Sequence, residues 1–309
     1  MTRVFTFPGQ GSQTVGMGQA LADNSAAAKQ VFAEVDEALG QKLSRLIWDG
    51  PLEELTLTAN TQPALMAVSL AAIAAMEEAG VSVAASADYV AGHSLGEYSA
   101  LAAAGSLSVA DAARLLRIRG DAMQSAVPVG EGAMAAILGL DLGQVEALVE
   151  QASASGVCDV ANDNAPGQVV VSGAKAAVEK AAELAKAEGA RRALMLPVSA
   201  PFHCSLMQPA AERMAEALAE IDLRTPKVPL IANVLAKPVS APDAIRRHLI
   251  EQVTGRVRWR ESIQWLAEND VDEAFEIGAG KVLAGLIKRI APGINASSIN
   301  APDDIQKLL

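Results

Sequence analysis

The chain has 309 residues, 51% of them hydrophobic but only 3% aromatic, and a formal net charge of −11 at pH 7. At that length about three quarters of the unfolded surface can be buried, enough for one large domain carrying a smaller one, with a core built from Ala, Leu, Val, Ile and Met. The acidic balance argues against nucleic acid, so an acidic partner would have to dock on a local basic patch. The longest apolar stretch, Ala64 to Met76, is interrupted by Ser69 and reads as too short for a bilayer, and Met1 to Phe7 has no signal-type apolar region before Pro8. A cytoplasmic enzyme without a membrane segment is expected. The two cysteines, Cys158 and Cys204, form no C-x-x-C spacing, and with three histidines no metal-ligand cluster is expected.

Taken in chain order, a short β-rich run at Val4–Phe7 precedes helical patterns over Ser25–Leu39 and Pro63–Ala79. A strand at Tyr89–Ala91 then leads to helices over Leu95–Ala104 and Val109–Ala126. From about 130 to 199 the pattern changes to strand Ala133–Leu140, helix Leu142–Ala152, and strands Cys158–Ala161 and Gln168–Ser172 around Asn164–Gly167. Helix Ala174–Ala187 and strand Arg192–Val198 complete it. That βαββαβ order predicts a small ferredoxin-like domain inserted in the large one. Alternation resumes through Pro209–Ile221, Val228–Leu235, Pro242–Val253, Glu273–Ile277 and Lys281–Ile290. The whole reads as α/β, a parallel-sheet, α/β-hydrolase-like large domain (1–129 and 200–309) with the small domain at 130–199 and the active site in the cleft between them.

The most informative motif is Gly92-His-Ser-Leu-Gly96, a G-x-S-x-G run between a predicted strand and a predicted helix. Such a turn is a nucleophile elbow, which lifts a serine hydroxyl clear of the backbone. A Cβ at either glycine would press on the neighbouring strand or helix, and the N–H after Ser94 points where an oxyanion would form. The alternative is an ordinary βα turn. An activated serine needs a base, and only His93, His203 and His248 are available. His93 adjoins the nucleophile and should leave the turn on another side, and His248 lies in a charged amphipathic helix. His203 remains, in a loop where the run Leu196–Ser199 breaks at Pro201, and Cys204 beside it reads as a small buried residue.

Two glycine-rich loops carry no nucleotide signature. Gly9-Gln-Gly11 follows the first strand, but its third glycine, Gly16, is misplaced for a dinucleotide loop, and Gly278-Ala-Gly-Lys281 lacks Walker spacing. The first loop can instead add a second backbone N–H to that of Leu95. On the helix from Val109, Ala112, Leu116, Arg119 and Met123 form one stripe, so an arginine points with the apolar face. A buried guanidinium needs an anion, supplied either by a protein carboxylate or by a substrate, unless the side chain snorkels out.

Over essentially its whole length the chain resembles the malonyl-CoA:acyl-carrier-protein transacylase family. The segments that carry the resemblance are Phe7–Gln13, Thr61–Ala64, Gly92–Tyr98, Arg119-Gly120, Gly132–Ala135, Asn164–Gln168, Pro197–His203 and Glu276–Leu283. The resemblance implies that Ser94 carries the malonyl group and His203 is the base. It places the oxyanion on the N–H groups of Gln10 and Leu95, and malonate's free carboxylate on Arg119. His203 would be oriented by the backbone carbonyl of Gln252 in place of a triad acid. Phe202, His93 and Asn162 would be substrate-binding, with Phe202 matching the malonyl-selective pattern. No cofactor is implied, coenzyme A entering as the substrate thioester, and acyl carrier protein is the implied partner of a monomeric enzyme. Ala279, where the family often has proline, touches only loop stiffness. A thioesterase would share the elbow and base but hand the second step to water, and a non-catalytic acyl-binding module would need neither.

Overall fold

The computed structural model describes residues 1–308. Ten strands form two sheets: β1 (Thr2–Phe7), β2 (Tyr89–Gly92), β3 (Gly132–Leu138), β4 (Cys158–Ala165), β5 (Gln168–Ala174), β6 (Arg192–Met195), β7 (Leu230–Ala232), β8 (Lys237–Val239), β9 (Val271–Ile277) and β10 (Asn295–Ile299). The large sheet has the order β10-β9-β1-β2-β7-β8. Its first five strands pair in parallel and β8 closes one edge as an antiparallel hairpin on β7. Parallel strands connected by helices bury both faces, and β1 shows it in the consecutive buried run Val4 to Phe7.

The second sheet, β4-β5-β3-β6, is antiparallel throughout, with helices Leu142–Ala152 and Lys175–Ala187 as its crossovers. This is the ferredoxin-like unit that the βαββαβ order predicts. Its strand β4 is tied to the large body: Asp163 N–H donates to Val257 O at 3.0 Å, Val257 N–H to Ala161 O at 2.8 Å, and Arg260 pairs with Asp163 at 2.8 Å.

Several boundaries differ from expectation. The helix expected from Pro63 starts earlier and spans Thr58–Glu78, because Asn60 Nδ2 and Thr61 Oγ1 donate to the carbonyls of Glu54 and Leu55 and hold the turn before the proline. At 21 residues it is long and apolar enough to cross a membrane, which corrects the shorter reading, yet 89% of its apolar window is buried inside the protein. It packs against helix Val109–Ser125 as the central core helix. Strands β4 and β5 run on toward each other and leave only Pro166-Gly167 as the turn, while β6 stops at Met195. The expected strand over Val228–Leu235 is the shorter β7 followed by β8. Helix Trp259–Glu268, whose buried Trp259, Ile263 and Leu266 fall on one helical stripe, and strand β10 are not among the expected elements. End signals were local where they worked: Ser25 caps helix Ala26–Leu39, which closes on a left-handed Gly40.

Candidate active site

β2 ends at Gly92, and the chain turns through His93, Ser94 and Leu95 into helix Gly96–Ala103. Ser94 is held at φ 54°, a left-handed conformation that β-carbon sterics disfavour and that the surrounding structure must enforce. The two glycines allow it. A Cβ on Gly92 would sit 1.9 Å from the Gly96 carbonyl carbon, and one on Gly96 would sit 2.2 Å from Phe7 O of the adjacent β1. Asn233, just past β7, pins the turn from the other side: its Oδ1 accepts from Ser94 N–H at 2.8 Å and its Nδ2 donates to Gly92 O at 2.7 Å.

His203 Nε2 lies 2.7 Å from Ser94 Oγ. Its Nδ1 lies 2.8 Å from the backbone carbonyl oxygen of Gln252, which can only accept, so the proton sits on Nδ1 and Nε2 is the free base. Burial, reinforced by the neighbouring Arg119 charge, pushes the imidazole down to about 3, keeping it neutral in the resting site. His203 is also at positive φ, 57°, so both members of the pair sit in strained backbone. Among the described residues no acid is bonded to the histidine.

Arg119 is 1% exposed. Its Nη1 donates to Gln62 Oε1 at 2.8 Å and its Nη2 to Gln252 Oε1 at 2.8 Å and to Ser94 Oγ at 3.1 Å. The guanidinium also lies over the Tyr98 ring, 5.9 Å from its centroid. Among the described residues no carboxylate comes within 4.0 Å of it, so neither a direct protein ion pair nor snorkelling accounts for its position. Burial pulls its pKa down, opposed by Tyr98 and Glu97.

These side chains face a cavity of about 360 Å³ between the two sheets. Gln10, Ser94 and Leu95 line it from the strand ends of the large sheet, Arg119 from helix Val109–Ser125, and Asn162 and Asn164 from β4. Among the described residues no protein acceptor takes the N–H of Gln10 or of Leu95, so both remain available to a ligand. His93 and Phe202 also line the cavity. His93 does turn away from the serine hydroxyl: its Nε2 donates to Asn164 Oδ1 at 2.8 Å, its ring packs on Trp259 at 5.7 Å, and burial lowers its pKa. The structure therefore gathers the residues expected at the active site around one cavity, with Gln252 behind it. His248 does not line the cavity and is bonded at 2.8 Å to Glu251 in its own helix, and Cys204 is buried with its thiol on Pro201 O. A shallow groove of about 600 Å³ between helices Val109–Ser125 and Gln208–Ala219 holds no comparable constellation.

Sequence reasoning missed three participants. Gln62 and Glu97 stand inside motifs that carry the resemblance, but nothing local shows where they point. Asn233 follows a three-residue strand with no motif around it. Glu97 is buried behind Ser94, and desolvation pushes its carboxyl up to about 8 against the pull of Asn233, Gln252 and Arg119.

With this geometry in place, comparison with known proteins is informative. The acyl transferase domain family matches residues 4–291. The malonyl CoA-acyl carrier protein transacylase of Bacillus subtilis (strain 168) is 48% identical over 303 residues, covering 98% of this chain and 94% of the relative. The crystal structure of an acyl-carrier-protein-S-malonyltransferase from Bartonella henselae superposes with a TM-score of 0.98 at 56% identity, covering 99% of this chain and 98% of that one. A malonyl-transacylase solved in complex with its type II PKS acyl-carrier protein superposes at 0.96 with 42% identity, covering 100% and 99%. An elbow serine, a carbonyl-held histidine and a buried arginine on one cavity thus coincide with full-length similarity, and the chain belongs to the acyl transferase domain family, among its malonyl CoA-acyl carrier protein transacylases.

Proposed function

We propose that the enzyme transfers a malonyl group from malonyl-CoA to the phosphopantetheine thiol of acyl carrier protein through a malonyl-serine intermediate. The observation that carries this reading is Arg119, a buried cation with no protein carboxylate on it, 3.1 Å from the hydroxyl that His203 activates. A carboxylate on the acyl group would complete that site.

Ser94 Oγ attacks the thioester carbonyl as its proton passes to His203 Nε2, which accepts it because Nδ1 is already committed to Gln252 O. The negative charge then developing on the carbonyl oxygen falls to the N–H groups of Leu95 and Gln10, with the positive end of helix Gly96–Ala103 behind them. Collapse of the tetrahedral adduct breaks the C–S bond, and His203 returns the proton to the coenzyme A sulfur. The carrier thiol next gives its proton to His203 and attacks the serine ester, and Ser94 leaves as the protonated alcohol. The bonds made and broken need only these groups, so the reading includes no cofactor. A monomer acting in the cytoplasm, with Phe202, His93 and Asn162 around the acyl group, belongs to the same proposal.

Intact-mass measurement tests it. Malonyl-CoA alone should add one malonyl group to the wild-type protein, and holo acyl carrier protein should remove it and gain the same mass. Loss of the adduct to water as fast as to the carrier would make the protein a thioesterase instead.

A further inference from the structure

Glu97 lies three residues after the nucleophile, on the first turn of helix Gly96–Ala103, and is 1% exposed. It stands behind the cavity wall and touches no acyl group. Each of its oxygens faces an N–H donor: Oε1 takes the backbone N–H of Asn233 at 2.6 Å, and Oε2 takes Gln252 Nε2. The same Nε2 donates to Ser94 O at 2.9 Å, so both hydrogens of the Gln252 amide are committed and its Oε1 is turned to Arg119 at 2.8 Å. An amide has one donor end and one acceptor end, so the group that fixes one end fixes the other. The reverse orientation would set an NH2 against the guanidinium and a carbonyl oxygen against Ser94 O, neither of which can be satisfied whatever the state of the Glu97 carboxyl.

Resting on the malonyl-transfer reading, we propose that Glu97 is a positioning residue that fixes the Gln252 amide, through it Arg119, and so sets the preference for a carboxylated acyl group. Burial holds the arrangement in place, since neither Glu97 nor Gln252 is open to solvent that could satisfy a reversed amide. Two jobs meet on Gln252: its main-chain carbonyl holds His203 and its side chain holds Arg119. Of these two, Glu97 bears on the side chain, while its other oxygen holds the Asn233 N–H behind the Ser94 turn.

Glu97→Gln is the test. The Asn233 N–H is main chain and cannot reverse, so the new amide must keep its oxygen there and present its NH2 to Gln252. Gln252 then has to turn its oxygen away from Arg119. The ratio of kcat/KM for malonyl-CoA to that for acetyl-CoA should fall about ten-fold to a hundred-fold, the range of a lost hydrogen bond to a charged group. The fall should appear mainly in KM for malonyl-CoA, with acetyl transfer no slower. Gln252→Met keeps the main-chain carbonyl and removes the amide; it should lower the ratio similarly, and the double variant should be no worse than Gln252→Met alone. A folded Glu97→Gln enzyme with the wild-type ratio, or one losing both acyl groups equally, overturns the inference. So does an additive double variant. Should Glu97→Gln not fold, Gln252→Met decides alone, and a wild-type ratio there overturns the idea. Wild-type protein that forms no malonyl-serine overturns the transfer reading itself, a result separable from all of these.

Discussion

Replacing Arg119 by alanine is the most direct challenge to the site. In the resting protein the guanidinium satisfies two glutamine oxygens, Gln62 Oε1 and Gln252 Oε1, and gives its remaining contact to Ser94 Oγ. A malonyl carboxylate arriving there gains a charge-assisted, partly desolvated pair, whereas an acetyl group leaves the cation unpaired. Breaking one side of such a pair costs about 2 to 5 kcal/mol, or roughly thirty-fold to several-thousand-fold in kcat/KM. Wild-type enzyme should therefore reject acetyl-CoA. Arg119→Ala should lose most malonyl transfer while gaining relative acceptance of acetyl-CoA, because the penalty for an unpaired guanidinium leaves with the side chain. Steady-state kcat/KM for both thioesters, on protein shown by its melting curve to be folded, gives the ratio. A folded Arg119→Ala enzyme that keeps the wild-type malonyl-to-acetyl ratio would refute the reasoning and leave the arginine a structural group bridging two glutamines.

Ser94→Ala should abolish the covalent adduct, and His203→Ala should slow transfer by roughly three orders of magnitude; a malonyl adduct on the alanine protein at position 94 removes that serine from the chemistry. Because His203 is held down to about 3 instead of 6.5, malonyl loading should fall little between pH 7 and pH 5, where a histidine of ordinary pKa would cost about twenty-five-fold. The stability sign follows from the same shift: below 6.5 the unfolded chain binds a proton that the folded one refuses, so this group's contribution is whole above 6.5 and is lost as pH falls toward 3, by about 1.4 kcal/mol per unit. Urea titrations of wild type and His203→Ala at pH 7 and pH 5 would isolate it from Glu97, whose raised carboxyl works in the opposite sense, and a wild-type-minus-variant difference that is the same at both pH values would contradict the shift. For carrier docking, Arg191 and Arg192 are exposed and make no ion pair among the described residues, whereas Arg289 is already bonded to Gln168 and to Pro166 O. Reversing Arg191-Arg192 should raise KM for acyl carrier protein more than reversing Lys288-Arg289, with KM for malonyl-CoA nearly unchanged; equal effects on both substrates count against this face.

What the sequence alone determined is what depends on near neighbours. Gly92 and Gly96 flank Ser94 by two residues each, so the elbow is written locally, and the clashes that a Cβ would make at both glycines are the physical content of that motif. The βαββαβ order of the small sheet was legible because each element carries its own periodicity, and His203 was legible because the chain offers so few imidazoles. Periodicity also placed Arg119 on a buried face. Only the tertiary structure decided what that face meets. Gln62 and Gln252 come to Arg119 from two different helices, Glu97 reaches Gln252 from a third, and Asn233 reaches Ser94 across 139 residues of chain. Such contacts leave no trace in local spacing, because a buried amide is fixed by whatever donors and acceptors the fold brings to it. Strands β8 and β10 are short edge strands that take their shape from their neighbours in the large sheet, whereas helix Trp259–Glu268 carries a helical stripe of its own in Trp259, Ile263 and Leu266.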